Sequence, residues 1–162
     1  TKLRRPVRGF QESRDIMKQQ PLENFAPGRS VFESELEVRP DDLDMFRHVH
    51  ASKYQDYVLA ARFDQMKRCY GISMEAFMTH GLGWYVRDFQ IEYKRSLGLG
   101  DRFTVKTWIQ EFYRTDVCVH FKIMRNPNDK LCCQGKSNYT LISLDTQRPS
   151  PIPDWVIEKY RI

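Results

Sequence analysis

A helical pattern that is apolar around most of its circumference constrains this chain more than any other feature. It lies within the stretch from Asp41 to Gly71, DDLDMFRHVHASKYQDYVLAARFDQMKRCYG. Ser52 followed three residues later by Gln55 has the spacing of a capping box, and Gly71 stands where a left-handed residue ends a helix. The pattern therefore predicts a helix from Lys53 to Tyr70. Tyr54, Tyr57, Val58 and Ala61 form one apolar stripe, and Leu59, Phe63, Met66 and Tyr70 form a second beside it. The polar remainder is a narrow strip through Lys53, Asp56, Asp64 and Lys67. Such a helix needs a partner that wraps it.

The rest of the chain supplies that partner. Val31 to Arg39, Trp84 to Tyr93, Arg102 to Phe112, Asp116 to Arg125 and Leu131 to Leu144 read as strands, and most alternate apolar and polar residues. Asn126-Pro127-Asn128-Asp129 predicts a turn joining the last two as a hairpin, and Gly135 is a candidate bulge. Ser73 to His80 reads as a short helical turn, and Asp154 as the N-cap of a short terminal helix. The order is strand, helix, then four antiparallel strands. This is an α+β chain with an antiparallel sheet wrapped around one long central helix. Residues 1–29 read as a basic arm or linker, 30–146 as the folded domain, and 147–162 as a tail carrying the short helix.

Chemistry is expected at the start of the long helix, where first-turn amides lack partners and carry partial positive charge. Asp44 lies just upstream. A carboxylate beside such donors can attack a carbonyl, or activate water to attack it, while the donors hold the developing oxyanion. The structural alternative for Asp41, Asp42 and Asp44 is a set of solvated loop acids. His48-x-His50 beside Asp44 has elements of a metal site, but no fourth ligand is evident, and no metal is assigned.

The net charge of +5 is concentrated in the arm, where Lys2, Arg4, Arg5, Arg8, Arg14, Lys18 and Arg29 outnumber Glu12, Asp15 and Glu23. A basic arm on a near-neutral domain argues against a nucleic-acid-binding fold. No apolar run reaches the roughly 20 residues of a membrane span. Cys69, Cys118, Cys132 and Cys133 fall inside predicted elements without a C-x-x-C pair, as reduced packing thiols do. They fit a cytoplasmic setting, with the basic arm leaving an organellar leader open.

The run Asp44-Met45-Phe46-Arg47-His48-Val49-His50-Ala51-Ser52-Lys53-Tyr54, followed by Ala61-Arg62-Phe63, resembles the hotdog-fold thioesterases. The likeness is to the 4-hydroxybenzoyl-CoA thioesterase-like acyl-CoA and acyl-carrier-protein thioesterases, whose loop reads approximately D-x-D-x-x-x-H-V-N-N-x-x-Y. Asp42, Asp44, His48, Val49 and Tyr54 match. A weaker likeness runs from Ile91 to Ser96 and on to Gly100-Asp101. His50-Ala51 stands in place of the Asn pair, and Arg47 in place of a frequent glycine.

The resemblance implies a hotdog fold and an active site at a homodimer interface, in a dimer or tetramer. It implies an acyl-CoA or acyl-carrier-protein substrate, and no cofactor beyond the thiol carrier the substrate brings. Asp44 corresponds to the family's acid, and the carbonyl-polarising amide to Ala51 or a close neighbour. His48 is a candidate for proton transfer or loop fixing. His50, Tyr54, Trp84, Lys94 and Arg95 are candidates for substrate contacts, the last two for coenzyme A phosphates. Two other readings stand beside hydrolysis: a hotdog dehydratase or hydratase, and a non-catalytic module that binds acyl-CoA.

Overall fold

A computed structural model describes residues 19–22 and 30–162, so most of the expected basic arm lies outside the described residues. Five strands, β1 (Phe32–Glu37), β2 (Leu82–Tyr93), β3 (Arg102–Phe112), β4 (Asp116–Arg125) and β5 (Lys130–Ser143), form one antiparallel sheet in the order β1-β3-β4-β5-β2. Among the described residues three α-helices accompany them: α1 (Lys53–Arg68), α2 (Met74–Thr79) and α3 (Asp154–Tyr160). Helix α1 lies in the concave face of the sheet, in the hotdog arrangement. Among the described residues no helix is long and apolar enough to cross a membrane.

Alternation along the strands sends one row of side chains inward. Phe103, Val105, Thr107 and Ile109 of β3 are all buried, and on β4 Phe121 and Ile123 meet the same core. Val58 and Ala61 of α1 are fully covered by these residues together with Cys132 and Cys133. Each wholly buried Phe, Leu or Val contributes roughly 1.5–3 kcal/mol, which is what holds α1 in place. A second cluster continues the core beyond the C-terminal half of α1. It includes Phe77 of α2 and Val156 and Tyr160 of α3, so the helix expected in the C-terminal tail packs into the core.

Pairing shifts register between Val86 and Asp88, between Ile109 and Glu111, and between Ile123 and Met124. Such irregularities increase local twist and bend strands, which curls the sheet around the helix. Gly135 is not one of them. It pairs regularly with Phe121 and Ile91, and a Cβ there would lie 1.8 Å from the Gln90 carbonyl oxygen. Glycine is needed for close approach of β2, not for a bulge.

The ends of α1 depart from expectation. Its last helical residue is Arg68, with Cys69 as C-cap, and Gly71 takes the left-handed turn at φ +70°. The capping box does not form, because Ser52 already has helical dihedrals (φ −68°, ψ −22°) and its hydroxyl caps nothing. At α3, Pro153 is the N-cap and Asp154 the first helical residue; at α2, Ser73 Oγ accepts from the Ala76 amide at 3.2 Å.

The apolar stripes also hide two polar residues. Gln65 is fully buried, donates to Ser34 Oγ at 3.1 Å and accepts from the Thr107 hydroxyl, tying α1 to β1 and β3. Arg62 is 7% exposed. Phe63, by contrast, is half exposed.

Candidate active site

The loop before α1 is built on two carboxylates with different tasks. Asp42 is 1% exposed; its Oδ2 accepts from the Tyr57 hydroxyl at 2.6 Å and from the Arg39 amide at 3.0 Å. Burial raises the Asp42 pKa, but the bonds from Tyr57 and Arg39 and the nearby positive charges of Arg39 and Lys53 outweigh it, leaving it below the ordinary carboxylate value. The Asp42 carbonyl also accepts from the His50 amide at 2.8 Å. Asp42 therefore clamps both ends of the loop to α1.

Asp44 organises the tip. Its Oδ1 accepts from the Phe46 amide at 2.8 Å and the His48 amide at 3.1 Å, while its own N–H donates to the His48 carbonyl at 2.7 Å. Arg47, at the position of the resembled family's glycine, adopts φ 61° to close this turn. With Oδ1 occupied by amides, Oδ2 has no hydrogen-bond partner among the described residues. Val49 is buried, and its amide donates to the Leu97 carbonyl at 2.8 Å, fastening the loop to the connection after β2.

The start of α1 is organised by a histidine. Ser52 N–H donates to His50 Nδ1 at 3.2 Å, and the Ser52 hydroxyl also meets that nitrogen at 2.8 Å. An Nδ1 that accepts from a backbone amide leaves the neutral ring's proton on Nε2. The Lys53 amide donates to the His50 carbonyl at 2.8 Å. The Ser52 and Lys53 amides are thus engaged, whereas the Ala51 amide has no protein partner among the described residues.

Asp44, His48, Ala51, Tyr54, Lys94 and Arg95 line one open cleft of about 340 Å³, together with Val49, Tyr93 and Ser96. The His48 ring has no protein hydrogen bond among the described residues; its backbone, not its imidazole, fixes the turn. Tyr54 is buried, and its hydroxyl accepts from the Leu97 amide at 3.0 Å. Burial pushes its phenol pKa up in spite of that bond, so it stays neutral. Tyr93, at the end of β2, donates to the Ala51 carbonyl at 2.9 Å and packs edge-on against Tyr54. Lys94 pairs with Glu92, and Arg95 Nη1 donates to the Leu131 carbonyl at 3.1 Å. These exposed contacts are weak and exchangeable with an arriving anion.

Two expected contact residues lie elsewhere. His50 turns onto the helix start and does not line the cleft. Trp84 lies toward the opposite end of β2, on an apolar cavity beneath the middle of α1. That cavity is also lined by Arg62, which sequence reading quoted in the family-like run Ala61-Arg62-Phe63 but gave no role. Its signal was spacing: Arg62 follows Val58 and precedes Met66 by four, on the buried face. Arg62 Nη1 donates to Thr107 Oγ1 at 3.3 Å.

Chemically, the cleft offers a carboxylate oxygen, an unpaired amide, an imidazole and two peripheral cations. That set can add an oxygen nucleophile to a polarised carbonyl of an anionic molecule.

Comparison with known proteins bears on what that molecule is. The sequence pattern of the Thioesterase-like superfamily matches residues 38–160. The long-chain acyl-CoA thioesterase FadM of Escherichia coli K12 is 22% identical over 127 residues, covering 78% of this chain and 95% of FadM. Among solved structures, the DHNA-CoA thioesterase of Staphylococcus aureus superposes with a TM-score of 0.74 at 25% identity, covering 80% of this chain and 88% of that one. A second Staphylococcus aureus protein, solved in complex with CoA, has a TM-score of 0.73 at 17% identity, covering 81% and 82% of the two chains.

Proposed function

Because the chain belongs to the Thioesterase-like superfamily, we propose that it hydrolyses an acyl-CoA thioester to the free acid and coenzyme A at the Asp44 cleft. The observation that carries this reading is the pairing of Asp44 with the unpartnered Ala51 amide on one open cleft. The Ala51 N–H polarises the thioester carbonyl and receives the developing oxyanion. Asp44 attacks the carbonyl carbon through Oδ2, or removes a proton from the water that does; the Phe46 and His48 amides keep the carboxylate aimed. The thiolate then leaves; on the direct-attack route water next cleaves the acyl–Asp44 mixed anhydride, releasing the free acid and restoring the carboxylate. A thiol with a pKa of about 8.5 needs little protonation to depart, so one carboxylate and one oxyanion site suffice for a thioester where they would not for an amide. In this reading His48 passes a proton at the cleft, and Lys94 and Arg95 meet coenzyme A phosphates.

A homodimer is part of the proposal. Among the described residues strand β2 pairs on one side only and is an edge of the sheet, and edges of this length in soluble proteins are normally paired or protected. Pairing β2 with its copy about a two-fold axis satisfies it. Met45 and Phe46, 89% and 72% exposed beside Asp44, support a partner that covers the loop. Four free thiols, three of them buried, fit a reducing, cytosolic setting.

The test is release of free thiol from aliphatic and aromatic acyl-CoAs and from acyl-carrier protein. Turnover of acyl-CoA is expected. Binding of acyl-CoA with no thiol released from any substrate would overturn the hydrolase reading in favour of a binding module.

A further inference from the structure

The cavity beneath α1 has a volume of about 190 Å³, larger than the roughly 150 Å³ that suffices to hold benzene in an engineered apolar core. Leu59, Met66, Trp84, Val86 and Ile109 make its walls apolar. Arg62 is the exception. Its guanidinium has five N–H donors and is 7% exposed, yet among the described residues it has no Asp or Glu partner. Thr107 Oγ1 takes one donor at 3.3 Å, the Tyr70 hydroxyl takes another, and the Tyr70 ring centroid lies 5.4 Å from the guanidinium.

A charge taken out of water without a counterion costs several kcal/mol, and arginine does not escape the cost by losing its proton. The surrounding phenols do not supply the missing charge either. Burial pushes Tyr70, Tyr139 and Tyr160 up, so all three are neutral around it. The site is short of one anion, inside an apolar chamber.

The chamber and the cleft share strand β2. Tyr93 of β2 lines the Asp44 cleft, and Trp84 and Val86 of the same strand line the cavity. From Lys53, the first residue of α1, to Arg62 the helix advances about 14 Å at ~1.5 Å per residue. An extended chain gains about 1.2 Å per bond, so an acyl group of about a dozen carbons spans that interval.

Building on the thioesterase reading of the Asp44 cleft, we propose that the cavity receives the far end of the acyl group and that Arg62 selects acyl groups ending in a carboxylate. The substrate class is the mono-CoA thioester of an α,ω-dicarboxylic acid. The carboxylate meets the planar guanidinium fork, and the methylenes fill the apolar walls.

Matched pairs test this: dodecanoyl-CoA against the mono-CoA thioester of dodecanedioic acid, with the corresponding six- and eight-carbon pairs. Wild type is expected to favour the carboxyl-ended member at twelve carbons by at least tenfold in kcat/KM. Arg62→Met should abolish or reverse that preference, and Arg62→Lys should retain part of it. Preference for the methyl-ended member at every length overturns the proposal. So does an Arg62→Met variant that scales both members equally. The wild-type ratio needs no variant, so it decides the matter if Arg62→Met does not fold. If no thioester is hydrolysed, the hydrolase reading has failed separately, and calorimetry with free dodecanedioate and dodecanoate decides the cavity claim. Tighter dodecanedioate binding that Arg62→Met removes supports it; equal binding refutes it.

Discussion

The Tyr57 hydroxyl donates to Asp42 Oδ2 at 2.6 Å, both residues being almost wholly buried. This bond joins the loop that carries Asp44 to the first turns of α1. It makes Asp42 the structural acid of the D-x-D pair and leaves Asp44 as the acid proposed for the chemistry.

Removing that hydroxyl leaves a buried carboxylate short of a partner. Tyr57→Phe is expected to cost about 1.5–3 kcal/mol at neutral pH, the range for hydrogen bonds to charged groups. The pH dependence has a definite sign. The Asp42 pKa is depressed in the folded state, so its contribution is present above the ordinary value of 3.8 and is lost as pH falls through the lower folded value. In Tyr57→Phe the folded pKa moves up toward the ordinary value, so less stability is lost on acidification and the gap between the two proteins narrows as pH falls. Urea denaturation at pH 3 to 7 checks both, and a difference between the two proteins that does not change with pH would contradict the assignment.

Arg47 holds φ 61°, a conformation that costs a side-chain-bearing residue roughly 1–2 kcal/mol, against about 0.5–1 kcal/mol of added entropy loss for glycine. Arg47→Gly is therefore expected to stabilise the protein by up to about 1 kcal/mol, and the β-branched Arg47→Val to destabilise it. Denaturation midpoints measure both.

Gly135→Ala would drive a methyl group to 1.8 Å from the Gln90 carbonyl and 3.0 Å from the Phe121 ring. Backbone cannot give way as a flexible side chain does. The expected loss is at least the ~1–3 kcal/mol typical of overpacking. Thermal denaturation and amide exchange along β2 would show it, with β2 opening first.

The strands were legible because their periodicity is local: the alternation from Phe103 to Ile109 needs no knowledge of the partner strand. The D-x-D-x-x-x-H-V spacing pointed to the loop before α1, and residues of that loop do line one cleft with Lys94 and Arg95. Features that depend on distant partners were not legible. Gln65 and Arg62 read as helix polar residues until Thr107 of β3 meets both. Ser52 has the spacing of a cap, but His50 Nδ1 takes the Ser52 amide first. Trp84 and Tyr93 alternate within one segment, yet β2 is long enough to put one in the cavity and the other in the cleft. The irregularity between Val86 and Asp88 leaves no mark in composition, whereas Gly135 does and marks something else.

The most direct test of the central claim is thiol release by wild type and Asp44→Asn on the best acyl-CoA substrate, at equal concentrations of folded protein. Asparagine keeps an oxygen to accept from the Phe46 and His48 amides, so the loop is preserved and only the carboxylate chemistry is removed. The account predicts a fall in kcat of about 10²-fold or more, with substrate binding intact. A variant that hydrolyses the substrate within a few-fold of wild type would show that Asp44 shapes the turn and that the chemistry is done by another group.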